Sequence, residues 1–384
     1  MHRRKYPRKY PRKLSGQSFR INLALISRAL TLGVALSLSG CLEVEREEPG
    51  GATGGDRSAA TNSTAPATAL RLILQDQSTA PPARVSVAFK LETDTGVPVP
   101  NLPAESFVLR ENGSLISAKE SAKRITPEDG DFVFSTLLLL DLSGSVIDQS
   151  LEALLEAAAN FIREVLPPAI EERTSKILAV GVFDGRAEIE IITDYSSNPD
   201  HLVEQVFLID ESTMQDSSTN LYGAAISGLN SVTNQVEATR RDNPEIFGAG
   251  ALVLFTDGTD QAAIEPEEAA FNAVDERAED IAVMTIGLGA EVNSEVLQRL
   301  GPNGFRAASE QGDLITSFGE IAQFVSDEAD SFYKLDYCSP KRTGPQLEHT
   351  LTIEVHQVTD ENQELSGELD VIFSAEGFGA GCEL

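Results

Sequence analysis

The stretch Phe134-Ser135-Thr136-Leu137-Leu138-Leu139-Leu140-Asp141-Leu142-Ser143-Gly144-Ser145 decides the fold. Residues 134–140 form a nearly continuous apolar run, the pattern of a strand buried on both faces of a parallel sheet. The run stops at an acid, and two hydroxyl side chains follow at alternate positions. Beyond it Leu151, Leu154, Leu155, Ala158, Phe161, Ile162 and Val165 recur at helical spacing until Pro167-Pro168 ends the segment.

The same alternation continues downstream. Strands are expected at 177–183 and 188–192, then a helix opened by Asn198-Pro199 and a long helix over 220–239. A strand at 251–256, a helix at 266–277, a strand at 281–288 and a helix at 313–329 complete the series. Strand–helix alternation over about 200 residues predicts an α/β fold: a doubly wound, mostly parallel sheet with helices on both faces. The flanks read differently. Val85, Val87 and Phe89 alternate with polar or small residues, and Asn112-Gly113 between strand-like runs signals a hairpin, because both residues tolerate positive φ. Leu351, Ile353 and Val355 alternate in the same way, and 369–373 is a later run. These β-sandwich-like segments, 69–128 and 332–384, are expected either to pair into one sandwich with the α/β domain inserted or to form two separate β elements.

In an open α/β sheet, ligands bind at the carboxyl ends of the strands, near a topological switch point. Two of the best buried strands end there in acid-and-hydroxyl loops: Asp141-x-Ser143-x-Ser145, and Thr256-Asp257-Gly258-Thr259-Asp260. A third piece, Ser217-Ser218-Thr219-Asn220-Leu221, precedes the long helix. Hydroxyl and carboxylate oxygens suit a hard cation, Mg²⁺ or alternatively Mn²⁺ or Ca²⁺, and are poor zinc ligands.

With these three loops in order, residues 129–331 resemble a von Willebrand factor type A domain, and the loops resemble its metal-ion-dependent adhesion site. Leu252-Val253-Leu254-Phe255-Thr256-Asp257-Gly258, Thr285-Ile286-Gly287-Leu288-Gly289 and Thr219-Asn220-Leu221-Tyr222 are in the family's style. The resemblance implies a Rossmann-like fold and assigns Asp141, Ser143, Ser145, Thr219 and Asp257 to the metal. It implies that the two serines and the threonine give hydroxyls to the ion, with the aspartates acting directly or through water. Because neutral hydroxyls compensate the ion's charge only in part, one more anion completes it, and the implied partner is a protein presenting Asp or Glu. The implied function is adhesion rather than catalysis; the alternative is a structural or assembly subunit of an envelope complex.

The chain's 384 residues carry a formal charge of −30, unevenly spread. Residues 1–41 hold nine Lys/Arg and no acid, so the remainder has 21 basic and 60 acidic residues, a surface that repels nucleic acid. The basic start is followed by the apolar run 29–38 and then Ser39-Gly40-Cys41, the layout of an export signal too short to span a membrane. Leu38-Ser39-Gly40-Cys41 resembles a bacterial lipobox; the alternative is an ordinary signal peptide or short anchor with an incidental cysteine. Lipidation of Cys41 puts the protein in the bacterial cell envelope, and Leu42 in place of Asp favours the outer membrane. Residues 42–68, rich in Gly, Ala, Ser, Thr and Pro, read as a flexible tether, with a strand possible at 70–74. Cys338 and Cys382 then remain as a pair for a disulfide in an oxidising compartment, the alternative being two free thiols.

Catalytic patterns are missing from the sequence: it holds no G-x-S-x-G elbow, H-E-x-x-H helix or phosphate-binding loop. The window Asp257 to Glu268 imitates the acidic ends of an EF-hand loop, but Ala262 stands where glycine is required. His349 and His356, an odd number of residues apart on an expected strand, point to opposite faces and are read as surface residues. Glu265, Glu267 and Glu268 read as a solvated helix start, the alternative being a rim of the ligand face that tunes partner charge.

Overall fold

The computed structural model describes residues 67–117, 122–126, 132–166, 175–242, 246–277, 281–359 and 362–384. The expected leader 1–41 with Cys41, and the tether up to residue 66, lie outside them. The central sheet is built from β6 (Phe132–Asp141), β7 (Lys176–Phe183), β8 (Glu190–Ser196), β9 (Phe247–Thr256), β10 (Ile281–Leu288) and β11 (Gly304–Ala308), in the order β11-β10-β9-β6-β7-β8. All neighbours are parallel except β8, an antiparallel edge.

The apolar run of β6 serves two cores at once. Leu138 and Leu140 pack on one face with α2 (Leu151–Val165), α3 (Pro199–Val206) and α7 (Leu314–Ala329). Leu137 and Leu139 pack on the other with α4 (Leu221–Asp242), α5 (Glu267–Arg277) and α6 (Ser294–Leu300). The period-two side-chain direction of a strand makes this division, so every residue must be apolar or small. Gly250 on β9 shows how close the layers lie: an added Cβ would sit 2.6 Å from the Ser135 carbonyl oxygen and from Val232.

The expected starts of the helices hold within a residue or two. Asn198 caps α3, its side chain accepting from the N–H groups of Asp200 and His201, with Pro199 at the first position. Three elements of this domain, α1 (Gly144–Gln149), α6 and β11, were not expected. Each is short, with only Val146, Leu297, Leu300 and Ala308 among their apolar side chains buried, so none carries a long periodic signal.

The flanking segments form two antiparallel sheets, and each takes strands from both flanks. β1 (Leu70–Ala80), β2 (Arg84–Thr93), β12 (Phe332–Cys338) and β5 (Lys123–Thr126) make one, in that order. β14 (Glu364–Ser374), β13 (Glu348–Val358), β3 (Phe107–Glu111) and β4 (Ser114–Leu115) make the other. Their side chains share one core around Phe89, Phe107 and Tyr333. The β3–β4 turn is the expected Asn112-Gly113 hairpin, both residues having positive φ, 48° and 76°. Cys338 and Cys382 form a disulfide with Cα atoms 5.8 Å apart.

His349 corrects the surface reading. It is 6% exposed, its Nδ1 lies 2.9 Å from Asn112 Nδ2, and its ring packs against Phe373. The reason is parity: His349 shares the inward face of β13 with Leu351, Ile353 and Val355, whereas His356 points outward and is exposed.

Candidate metal centre

The switch point of the sheet lies between β6 and β9, since the chain leaves β6 toward β7 and later returns on the other side through β9. The register that sets Leu140 beside Phe255 brings Asp141 next to Thr256. The Thr256 hydroxyl donates to Asp141 Oδ2 at 2.6 Å, and the Ser143 N–H donates to Oδ1 at 2.8 Å. Ser145 Oγ donates to Asp257 Oδ1 at 2.9 Å and stands 3.4 Å from Ser143 Oγ.

Backbone hydrogen bonds join the three loops. The Gly144 N–H reaches the Ser217 carbonyl, and the N–H groups of Gln261 and Ala262 both reach the Thr219 carbonyl. A Cβ on Gly144 would lie 3.2 Å from Ser217 Cβ, so the first two loops meet as closely as they do because this residue is glycine. Thr219 immediately precedes α4, its Oγ1 3.8 Å from where a Cβ on Gly258 would stand. Asp141, Ser143, Ser145, Thr219 and Asp257 are therefore brought to one end of the sheet. Asp141, Ser143 and Thr219 are buried, Asp257 is half-buried and Ser145 is exposed, which leaves the site closed beneath and open to solvent on one side.

No basic residue compensates the two carboxylates: among the described residues neither Asp141 nor Asp257 has an ion pair. Burial is the main reason that the Asp141 carboxyl is pushed up to about 7; hydrogen bonds from Thr256 and Ser143 oppose it and the charge of Asp257 adds to it. Burial also raises Asp257, with Glu291 contributing repulsion. Two carboxylates held close beside three hydroxyls, without a cationic side chain, fit a hard divalent cation. No group of three or more His, Cys, Asp or Glu that could hold a metal occurs among the described residues, so any such site must rely on hydroxyls.

Two supporting residues escaped the sequence reading. Thr256 was quoted only as part of a loop, yet its hydroxyl orients Asp141 and accepts from the Gly258 N–H at 3.1 Å. Asp184, directly after β7, accepts from the N–H groups of Gln215 and Asp216 at 2.9 and 3.1 Å and from the Arg186 side chain. Its carbonyl also accepts from the Asn220 N–H, so Asp184 holds both ends of the Thr219 loop. The available signal was its position: it is a third acid at the carboxyl end of a buried strand.

The family pattern described as von Willebrand factor type A domain matches residues 137–324. Residues 137–324 are a von Willebrand factor type A domain. The match runs from the middle of β6 into α7, just under half of the chain, and encloses all five candidate ligands. Among solved structures the chain is similar to proximal thread matrix protein 1 from the mussel byssus, at 16% identity and TM-score 0.41 over 51% of this chain and 49% of that one. The chain thus spans about half the length of the mussel protein, another structure of which is described with a zinc-occupied metal-ion-dependent adhesion site. It is also similar to a von Willebrand factor type A protein from Catenulispora acidiphila, at 12% identity and TM-score 0.42 over 82% of this chain and 75% of that one. Manganese-loaded TRAP protein from Plasmodium vivax aligns at 11% identity and TM-score 0.40 over 65% of this chain and 96% of that one. No curated protein sequence matches the chain.

Proposed function

We propose that this protein is an exported, lipid-anchored binding module of the bacterial cell envelope that grips a protein partner through a divalent metal ion. Domains of the type A family are in general interaction modules rather than enzymes. Asp141, Ser143, Ser145, Thr219 and Asp257 would hold the ion, Mg²⁺ in preference to Mn²⁺ or Ca²⁺. The bound cation supplies a local positive focus on an acidic protein, and an Asp or Glu of the partner completes its coordination. The chain's own groups do the rest. The buried side of the site excludes water behind Asp141, the three hydroxyls leave the charge only partly compensated, and the open side at Ser145 admits the partner. Cys41, carrying lipid, tethers the module to the outer membrane, and the acidic surface keeps nucleic acid away.

The observation that carries this reading is the meeting of two uncompensated carboxylates and three hydroxyls at the switch point, open on one side. Mn²⁺ binding by the chain, followed by electron paramagnetic resonance, should be saturable and lost in Asp141→Ala with the circular dichroism spectrum intact. Partners recovered from envelope extract in Mg²⁺ should be released by EDTA. Partners that resist EDTA and survive Asp141→Ala would replace adhesion with permanent assembly through another surface.

A further inference from the structure

A cleft opens beside the candidate metal centre. Leu221 and Tyr222 at the start of α4, Asp260 of the third loop, and Asn293, Val296 and Leu297 at the start of α6 line it. Gly258 and Thr259, the two residues after Asp257, form part of the same wall, so the cleft continues directly from the metal loop. A peptide spans at most about 3.5 Å per residue. A carboxylate bound at the metal therefore brings side chains a residue or two away within reach of the cleft.

The lining is of two kinds. Val296 and the Tyr222 ring, both partly exposed, supply apolar surface, Leu221 and Leu297 close the floor as buried core residues, and Asp260 is the one charge in the lining. Asp260 Oδ1 accepts from the Tyr222 N–H at 3.3 Å and Oδ2 from the Ala263 N–H at 3.0 Å, so each carboxylate oxygen keeps a lone pair for a further donor. No Lys, Arg or His lines the cleft, and Asp260 has no ion pair among the described residues. Further acids are near in contact or in sequence: Glu267 takes the Tyr222 hydroxyl at 2.6 Å, and Glu291 and Glu295 stand two residues to either side of Asn293 in the chain. The guanidinium of Arg299, also on α6, is already taken by Asp275.

An occupant must match apolar walls and a negative end. An acidic side chain is repelled, and a purely apolar one would cover Asp260 without giving it a donor, which costs free energy. A long aliphatic stem with a cationic head satisfies both parts: the stem lies on Val296 and the Tyr222 ring while the head meets Asp260. Resting on the reading that the metal takes a partner's carboxylate, we propose that this cleft takes an arginine or lysine side chain of the same partner, close in sequence to its metal-binding Asp or Glu.

The probe is a set of capped, fluorescent pentapeptides with a central Asp, carrying Arg, norleucine or Glu at each of the other four positions, titrated against the Mn²⁺-loaded full chain. At one position at least, Arg should bind on the order of threefold to tenfold more tightly than norleucine. Asp260→Asn should remove that gain while the norleucine peptide and Mn²⁺ bind as before. Val296→Arg, which places a guanidinium of the chain's own in the cleft, should remove it as well. Equal binding of Arg, norleucine and Glu peptides, a gain that survives both variants, or no peptide binding by Mn²⁺-loaded protein would each overturn the proposal. Failure of the metal reading is separate: the chain then takes up no Mn²⁺, or peptide binding ignores EDTA.

Discussion

Lys90→Met tests how the last helix of the type A domain is held to the flanking sheets. Lys90 lies on β2 and is 7% exposed; its Nζ is 2.5 Å from Glu328 Oε1 on the final turn of α7 and 3.4 Å from Glu92 Oε2. Glu92 keeps a second cation, Arg71 at 3.2 Å, but among the described residues Glu328 has only Lys90. Methionine is unbranched and of similar length, and it can fill the space in which Lys90 Nζ lies 6.0 Å from the centre of the Phe332 ring, so the substitution deletes a charge without opening a large hole. It strands a buried carboxylate, and breaking a buried pair from one side costs about 3–5 kcal/mol. At roughly 2–4 °C per kcal/mol for a chain of this size, the melting midpoint should fall by on the order of 10 °C. Calorimetry at neutral pH measures it. Replacing both partners, Lys90→Met with Glu328→Met, should return stability to within about 1 kcal/mol of the unaltered protein, since the cost comes from the orphaned charge. Burial works to lower the Lys90 pKa, but Glu328 and Glu92 outweigh it and hold the value above its ordinary one. The stabilisation is therefore fully present below about pH 10.5 and is lost as pH rises through the folded value. A single variant as stable as the parent, or a double variant no better than the single, refutes the reasoning.

Two further expectations concern the residues supporting the metal site. Thr256→Val keeps shape but removes the hydroxyl that Asp141 Oδ2 accepts, and should weaken Mn²⁺ affinity about tenfold, as loss of an outer-shell partner does, without removing a ligand; unchanged affinity in a calorimetric titration would count against that orienting role. Asp184 is opposed by burial, but hydrogen bonds from Arg186, Gln215 and Asp216 hold its carboxyl below the usual range. Its contribution is thus present above about pH 4 and lost as pH falls through the depressed folded value, so the stability gap between the parent and Asp184→Asn should stay level from about pH 5 to 7 and close in stronger acid. Denaturant titrations across that range read the gap, and one that widens in acid contradicts the assignment.

The α/β character was legible because burial on both sides leaves a local mark. The runs ending at Leu140 and Phe255 are almost wholly apolar or small, and few structures other than a covered parallel strand require that. The candidate ligands were legible for a related reason: an acid or hydroxyl placed where such a run stops sits at the strand's carboxyl end. Asp184 bears the same mark after Phe183, but its role depends on which loop folds across it, and Gln215 and Asp216 lie more than thirty residues away. The small elements α6 and β11 left no comparable trace, because a few buried residues establish no period.

What the sequence determined by itself is the set of local patterns: two-sided apolar strands, the Asn198-Pro199 helix start, the Asn112-Gly113 hairpin and the acid-hydroxyl loops. Each follows from chain stereochemistry or from side-chain periodicity within a few neighbouring residues. Tertiary structure alone decided which of these distant pieces meet. It set β2 beside β12, with Phe89 against Tyr333. It also brought Lys90 to Glu328, and hydrogen-bonded Ser145 to Asp257 across 112 positions of chain. Such meetings depend on strand register and loop packing, which are settled by the free energy of the whole core and not by any one segment.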